Sequence, residues 1–180
     1  ELAINESSLF DFQSFVHDIF YKYNPAEFHN KIPLFPWNSI FTTNYDLIVE
    51  RAYQSSKERV QEIFTLSRNT PQTQIPRGEK ILQYFKIHGC INHIHDEDCP
   101  LIFTPDQYVT HKNNRERLFV RFEELSADYP ILFVGHSLSD IDIRYYLKQL
   151  ESLKAAKPMS YLIAPAITPE EERLWSAKRI

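Results

Sequence analysis

Apolar positions along this chain change period several times, and each change marks an element. Leu9, Phe12, Val16, Ile19, Phe20 and Tyr23 recur at helical spacing behind Ser8. They predict an amphipathic helix capped by Ser8 and ended by Asn24-Pro25. Residues 26–36, with Pro33 and Pro36, read as a connection. Ser39-Ile40-Phe41-Thr42 is a short apolar, β-branched run, the pattern of a buried strand. Thr43, Asn44 and Asp46 then leave the strand, and Leu47, Ile48, Ala52 and Tyr53 follow at helical spacing.

The same layout recurs downstream. Val60, Ile63, Phe64 and Leu66 fit either a strand or a short helix, and 67–78 is polar, with Pro71 and Pro76, as a loop requires. Ile81, Gln83, Phe85 and Ile87 alternate as a strand that closes in His88-Gly89-Cys90. A polar excursion over 92–100 leads to a further predicted strand, Leu101-Ile102-Phe103. Residues 113–127 form a predicted helix with Leu118, Phe122 and Leu125 on one face. Its charges, among them Arg115, Arg117 and Arg121, read as a solvated side. Ile131-Leu132-Phe133-Val134 is a strand, 135–140 a turn, and Ile143, Tyr146, Leu147, Leu150 and Leu153 one helix face. Tyr161-Leu162-Ile163-Ala164 is the last strand, and Thr168-Pro169-Glu170-Glu171 a strong helix start. Strands alternating with helices imply an α/β fold with a mostly parallel sheet covered on both faces. In open sheets of that kind ligands bind beyond the carboxyl ends of the strands. Three strands that each end in polar, turn-forming residues therefore suggest one shared cleft.

Composition narrows the class. The 180 residues suit one domain over 1–180, and 43% hydrophobic and 14% aromatic content supports a packed core. A formal net charge of −4 carries no basic nucleic-acid footprint. No apolar run approaches the ~20 residues that span a bilayer, and no signal peptide is visible, so a cytoplasmic location without membrane contact is expected. Two cysteines, Cys90 and Cys99, do not make a secreted disulfide scaffold. Only Gly78, Gly89 and Gly135 are glycine, too few for a glycine-rich phosphate loop.

Four stretches, in order, resemble the sirtuin-like NAD-consuming domains: Thr42-Thr43-Asn44-Tyr45-Asp46, Lys86-Ile87-His88-Gly89, Phe103-Thr104-Pro105-Asp106-Gln107-Tyr108 and Phe133-Val134-Gly135-His136-Ser137-Leu138-Ser139-Asp140. They cover just over half of the chain, from Thr42 to about Arg144, and look most like the bacterial branch that defends against phage by hydrolysing NAD. The resemblance implies a Rossmann-like, doubly wound domain lacking its first strand, glycine-rich loop and helix, as a piece of a longer protein would. It further implies NAD as substrate, no catalytic metal, a homo-oligomer, and a neighbouring sensor or partner domain.

Breaking the bond between nicotinamide and ribose develops an oxocarbenium-like centre. A neutral amide can hold water or a ribose hydroxyl there without trapping the cation, the role the resemblance implies for Asn44. Turn or cap is the structural alternative for that Asn. The resemblance makes His88 a general base toward the ribose hydroxyls; an imbedded histidine satisfied by backbone is the alternative. Thr43 and Asp46 are candidate NAD contacts, and Asp46 equally suits the cap of its own helix. Gly135 and Ser137 are candidate contacts to the adenosine half. The expectation is that Asn44 and His88 face each other across a dinucleotide-sized crevice. Asp106 and Tyr108 are not assigned to chemistry.

Two other chemistries are visible. His88, Cys90, His93, His95, Asp96, Asp98 and Cys99 have zinc-binding side chains, but no Cys-x-x-Cys pair, so a solvated polar loop is preferred. Gly135-His136-Ser137-Leu138-Ser139 mimics a hydrolase nucleophile elbow, yet ends in Ser139 and has no histidine after Ser137. NAD hydrolysis thus competes with a non-catalytic nucleotide-binding or interaction module and with a zinc-dependent hydrolase.

Overall fold

The structure, a computed structural model, describes residues 8–68, 70–71, 74–76, 78–95, 101–103, 115–136, 138, 143–145, 147–148 and 158–180. They fall into two compact units, 1–118 and 119–180. Among the described residues all strands pair in parallel, three in the first unit and two in the second. With helices between them, this is the α/β, Rossmann-like arrangement that the alternating pattern predicts.

The first unit opens with helix α1, Leu9–Phe20. Its predicted cap is real: the Ser8 hydroxyl accepts the Asp11 N–H at 3.1 Å. A 3₁₀ helix, His29–Leu34, occupies the stretch read as a plain connection. Strand β1 is Ser39–Thr42, followed by helix α2, Ile48–Ser55. The ambiguous segment after it is a strand, β2, Glu62–Leu66. Strand β3, Ile81–Lys86, lies between β1 and β2. The chain therefore leaves β1, skips one place for β2, and returns to fill the gap. Register pairs Phe41 with Phe85 and Thr42 with Lys86. The Phe41 and Phe85 rings stack at 4.4 Å, which fixes that register by packing.

Alternate β3 residues Leu82, Tyr84 and Lys86 are all fully buried, and α2 contributes Glu50, Ala52 and Tyr53 to the interior. A second cluster forms around Val16 of α1, Ile91 and Leu101, with Phe12, Phe20, Tyr45, Leu47 and Phe103 packed against it. Phe12, Val16 and Phe20 of the predicted stripe pack into this cluster, whereas Tyr23 is exposed. Gln13 is also buried, donating to the Ile94 carbonyl at 2.9 Å and accepting the Leu101 N–H at 3.0 Å.

That second bond helps explain a correction. Leu101-Ile102-Phe103 is not a strand. Its backbone groups have other partners: Leu101 N–H goes to Gln13, Ile102 N–H to the His88 carbonyl at 3.2 Å, and the Ile102 carbonyl accepts the Tyr45 hydroxyl. A segment so satisfied needs no ladder.

Helix α3, Glu116–Asp128, crosses from the first unit into the second. The second unit holds strands β4, Leu132–Val134, and β5, Tyr161–Ile163, paired Leu132 to Tyr161. Residues 143–145 and 147–148 are helical, within the helix expected there. Helix α4, Pro169–Ser176, carries the full capping box: Thr168 accepts the Glu171 N–H at 3.2 Å, and Glu171 accepts the Thr168 N–H at 2.9 Å. Among the described residues no helix is long and apolar enough to cross a membrane.

Candidate functional site at the tips of β1 and β3

Strands β1 and β3 are parallel neighbours, so their carboxyl ends emerge side by side. Asn44 lies two residues beyond Thr42, and His88 two beyond Lys86, the residue paired with Thr42. One more backbone bond continues the pairing, from Ile87 N–H to the Thr42 carbonyl at 3.0 Å. The two candidates therefore occupy equivalent places on adjacent strand tips.

They do not share one environment. Asn44 is exposed, whereas His88 is only 2% exposed. The open crevice expected between them is not what these side chains line: the amide stands at the surface and the imidazole in the interior. Gly89, beside the histidine, has φ +104°, a conformation that glycine adopts without strain.

The turn carrying Asn44 is fastened at nearly every residue. Thr42's hydroxyl accepts the Asn44 N–H at 3.0 Å. Tyr45's carbonyl accepts the Ile91 N–H at 3.1 Å, and its ring packs on Phe103 at 4.6 Å and Phe20 at 6.4 Å. Asp46 is buried, and its carboxylate accepts the Ile48 N–H at 2.9 Å. That bond closes a turn just ahead of α2, whose N-cap, Leu47, has no side-chain cap bond. Thr43 is half-buried.

Sequence reasoning missed the group beneath this turn. The Lys86 side chain is fully buried and its Nζ lies 3.0 Å from Glu50, itself 10% exposed. The same ammonium donates to the carbonyls of Tyr45, at 3.3 Å, and Asp46. A lysine in a strand and a glutamate in a helix, 36 positions apart, give no local signal. Only the helical phase, which places Glu50 beside Tyr53 three residues on, hints at its burial.

The pair's surroundings shift neighbouring groups. Burial, with the Glu50 and Asp46 charges adding to it, pushes the Tyr84 phenol well above its usual range. Burial alone pushes Tyr53 up to about 12. Both phenols therefore stay protonated in the fold at pH values where the unfolded chain, near 10, has lost those protons. The unfolded state then binds fewer protons, and stability falls as pH rises from about 10 toward 12. A urea midpoint that declines across this window, and declines less in Tyr53→Phe, is the expected result. Tyr53's hydroxyl is buried without a hydrogen-bond partner. Tyr53→Phe is therefore also expected to gain about 1 kcal/mol at neutral pH, since an unpaired buried polar group costs that much or more.

Cys90 is buried, and burial raises its thiol above the ordinary value, with the Lys86 ammonium opposing. Protonated and enclosed, it is a poor nucleophile and a poor metal ligand. Its reaction with a disulfide reagent is expected to be at least ~100-fold slower in the native than in the unfolded protein. A rate equal in the two states would contradict the burial. Among the described residues no three His, Cys, Asp or Glu side chains come together to hold a metal ion. Asp96, Asp98 and Cys99 lie outside the described residues, as do Asp106 and Tyr108.

In the second unit, Gly135 follows β4 directly with φ +63°, and nothing lies within 4 Å of where a Cβ would stand. Backbone conformation, not crowding, asks for glycine there. Leu138 also has a positive φ, 55°, held by its N–H bonding His136 Nδ1 at 2.9 Å and its carbonyl accepting from Arg144 at 2.9 Å. Ser137 lies outside the described residues.

Comparison with known proteins bears on what these tips do. A family model described as a SIR2-like domain matches residues 38–180. The chain is 25% identical over 138 residues to a protein named NAD(+) hydrolase ThsA, from Bacillus cereus (strain MSX-D12). That match takes in 73% of this chain but only 26% of the relative, so the chain spans about a quarter of that protein's length.

Proposed function

This chain belongs to the SIR2-like domain family, and on that premise we propose that it hydrolyses NAD to nicotinamide and ADP-ribose as one domain of a larger assembly. The observation that carries the reading is Asn44: an exposed neutral amide on a rigidly fastened turn, at the carboxyl tip of a parallel strand. In α/β sheets that position is where nucleotides are received. Support comes also from the likeness to a protein named as an NAD(+) hydrolase.

In the reaction, the bond from ribose C1′ to the nicotinamide nitrogen breaks and the electron pair leaves with nicotinamide. A water oxygen bonds to C1′ and gives its proton to a base. The Asn44 amide holds that water, or the adjoining ribose hydroxyl, against the developing cation. A carboxylate there would bond to the sugar; an amide does not. His88, a buried side chain, is the base proposed for that proton. Thr43 and Asp46 are the contacts proposed for the nicotinamide side. NAD depletion in defence against phage, with an oligomer and a partner domain, is the biological setting that fits this chemistry.

The burial of His88 favours one rival reading, a module that binds the dinucleotide without cleaving it. Both readings are tested by incubating the whole protein with NAD and measuring bound NAD and free nicotinamide. Multiple turnovers support hydrolysis. Saturable binding with no nicotinamide released would replace it with the binding module.

A further inference from the structure

Lys86 has three N–H bonds to give, and the fold uses all of them within one turn of chain. Two go to the carbonyls of Tyr45 and Asp46, the residues that follow Asn44, and one goes to Glu50 in the first turn of α2. The lysine stands on β3, whereas the two carbonyls stand on the connection from β1 to α2 and Glu50 in α2 itself. It thus ties the tip of one strand to the turn leaving its neighbour, from a site with no exposure to water.

For stability alone this is an uneconomical choice. Burying a lysine and a glutamate carries a desolvation penalty for each ion, and apolar side chains of similar volume often serve as well or better. Glu50 Oε2 is buried without a hydrogen-bond partner, so the pair is not even fully satisfied. What a methionine or leucine could not do is hold two successive carbonyls in fixed directions. Those carbonyls set the path of the backbone on which the exposed amide stands.

We propose that Lys86 is a positioning residue for Asn44: its ammonium orients the turn through the Tyr45 and Asp46 carbonyls, and Glu50 is the counter-charge that lets it be buried. The proposal rests on the NAD-hydrolase reading for its kinetic consequence, but not for its structural one. Lys86 touches no substrate; it acts through the backbone of the turn.

The test replaces both charges at once, Lys86→Met with Glu50→Leu, in the whole protein, and reads three quantities. The melting temperature is expected to stay within a few degrees of wild type, as removal of a whole buried pair usually allows. Amide hydrogen exchange over residues 43–48 is expected to speed at least ~10-fold relative to β3, because the turn has lost its ties. The kcat for nicotinamide release is expected to fall ~30- to 100-fold with KM within about threefold, the signature of a misplaced group instead of lost binding. Unchanged exchange over 43–48 in a folded double variant overturns the proposal. If wild type itself releases no nicotinamide, the hydrolase reading fails, and exchange alone still decides the role of Lys86. Should the double variant not fold, Glu50→Gln carries the test. The lysine still reaches both carbonyls there, so the turn is expected to exchange within about threefold of wild type relative to β3, even if the protein melts lower. A turn that opens selectively in Glu50→Gln assigns the orienting role to the carboxylate and overturns the proposal as well.

Discussion

Asn44→Ala is expected to lower the kcat for nicotinamide release by about 10²–10³ while leaving the melting temperature unchanged. The size follows from removing one preorganised polar group from beside developing charge, which costs that much in enzymes of many kinds. The thermal neutrality follows from exposure: the side chain is at the surface, and the turn beneath it is held by the Asn44 backbone N–H, not by its amide. KM should change little, since the interaction is made mainly as the glycosidic bond opens. Asn44→Asp keeps the size and loses the neutrality, and is expected to be as inactive as the alanine variant. His88→Ala is the informative contrast. Its side chain is buried, so that variant should melt lower, and its activity must be compared per folded molecule. Turnover unchanged in both variants would remove this pair of residues from the chemistry.

The second large effect concerns stability. Lys86→Met alone should cost about 3–5 kcal/mol, because it leaves the Glu50 carboxylate buried without its partner. For a domain of this size that is a fall in melting temperature on the order of 10 °C. Restoring neutrality with Glu50→Leu in the same chain should recover most of it. A single variant that melts within about 1 °C of wild type would show that no uncompensated charge is left buried at Glu50. Calorimetry or circular dichroism of the two variants side by side is enough to decide.

Some of this was legible in the residues and some was not, for physical reasons. β1 and its turn were readable because a four-residue apolar run followed by Asn and Asp has few alternatives. The caps at Ser8 and Thr168 were readable because capping is a local bond over three residues. β2 stayed ambiguous in sequence because Val60, Ile63, Phe64 and Leu66 satisfy both periods; pairing with β3 decided it. Leu101-Ile102-Phe103 misled because burial, not pairing, makes a segment apolar. The 3₁₀ helix around Pro33 was hidden because proline reads as a breaker, yet a short helix tolerates it. At the site, positions on strand tips followed from pattern, but exposure did not. Nothing local says that His88 turns inward while Asn44 stays out, since that depends on packing against residues distant in sequence. The Lys86–Glu50 pair escaped for the same reason. Charge is read as surface unless a partner is known, and partners across a sheet are not visible along a chain.

Tyr45 gives the helix at the start of the chain an importance that family boundaries conceal. The family match begins at residue 38, beyond α1. Yet the Phe20 ring of that helix packs edge-on against Tyr45, and Val16 is buried in the same cluster. A shortened version trimmed to the matching region would keep every candidate reactive group and lose the support of the tyrosine next to Asn44. Inactivity in such a truncation would speak of missing support, not of missing chemistry, and the boundary for expression belongs ahead of Ser8.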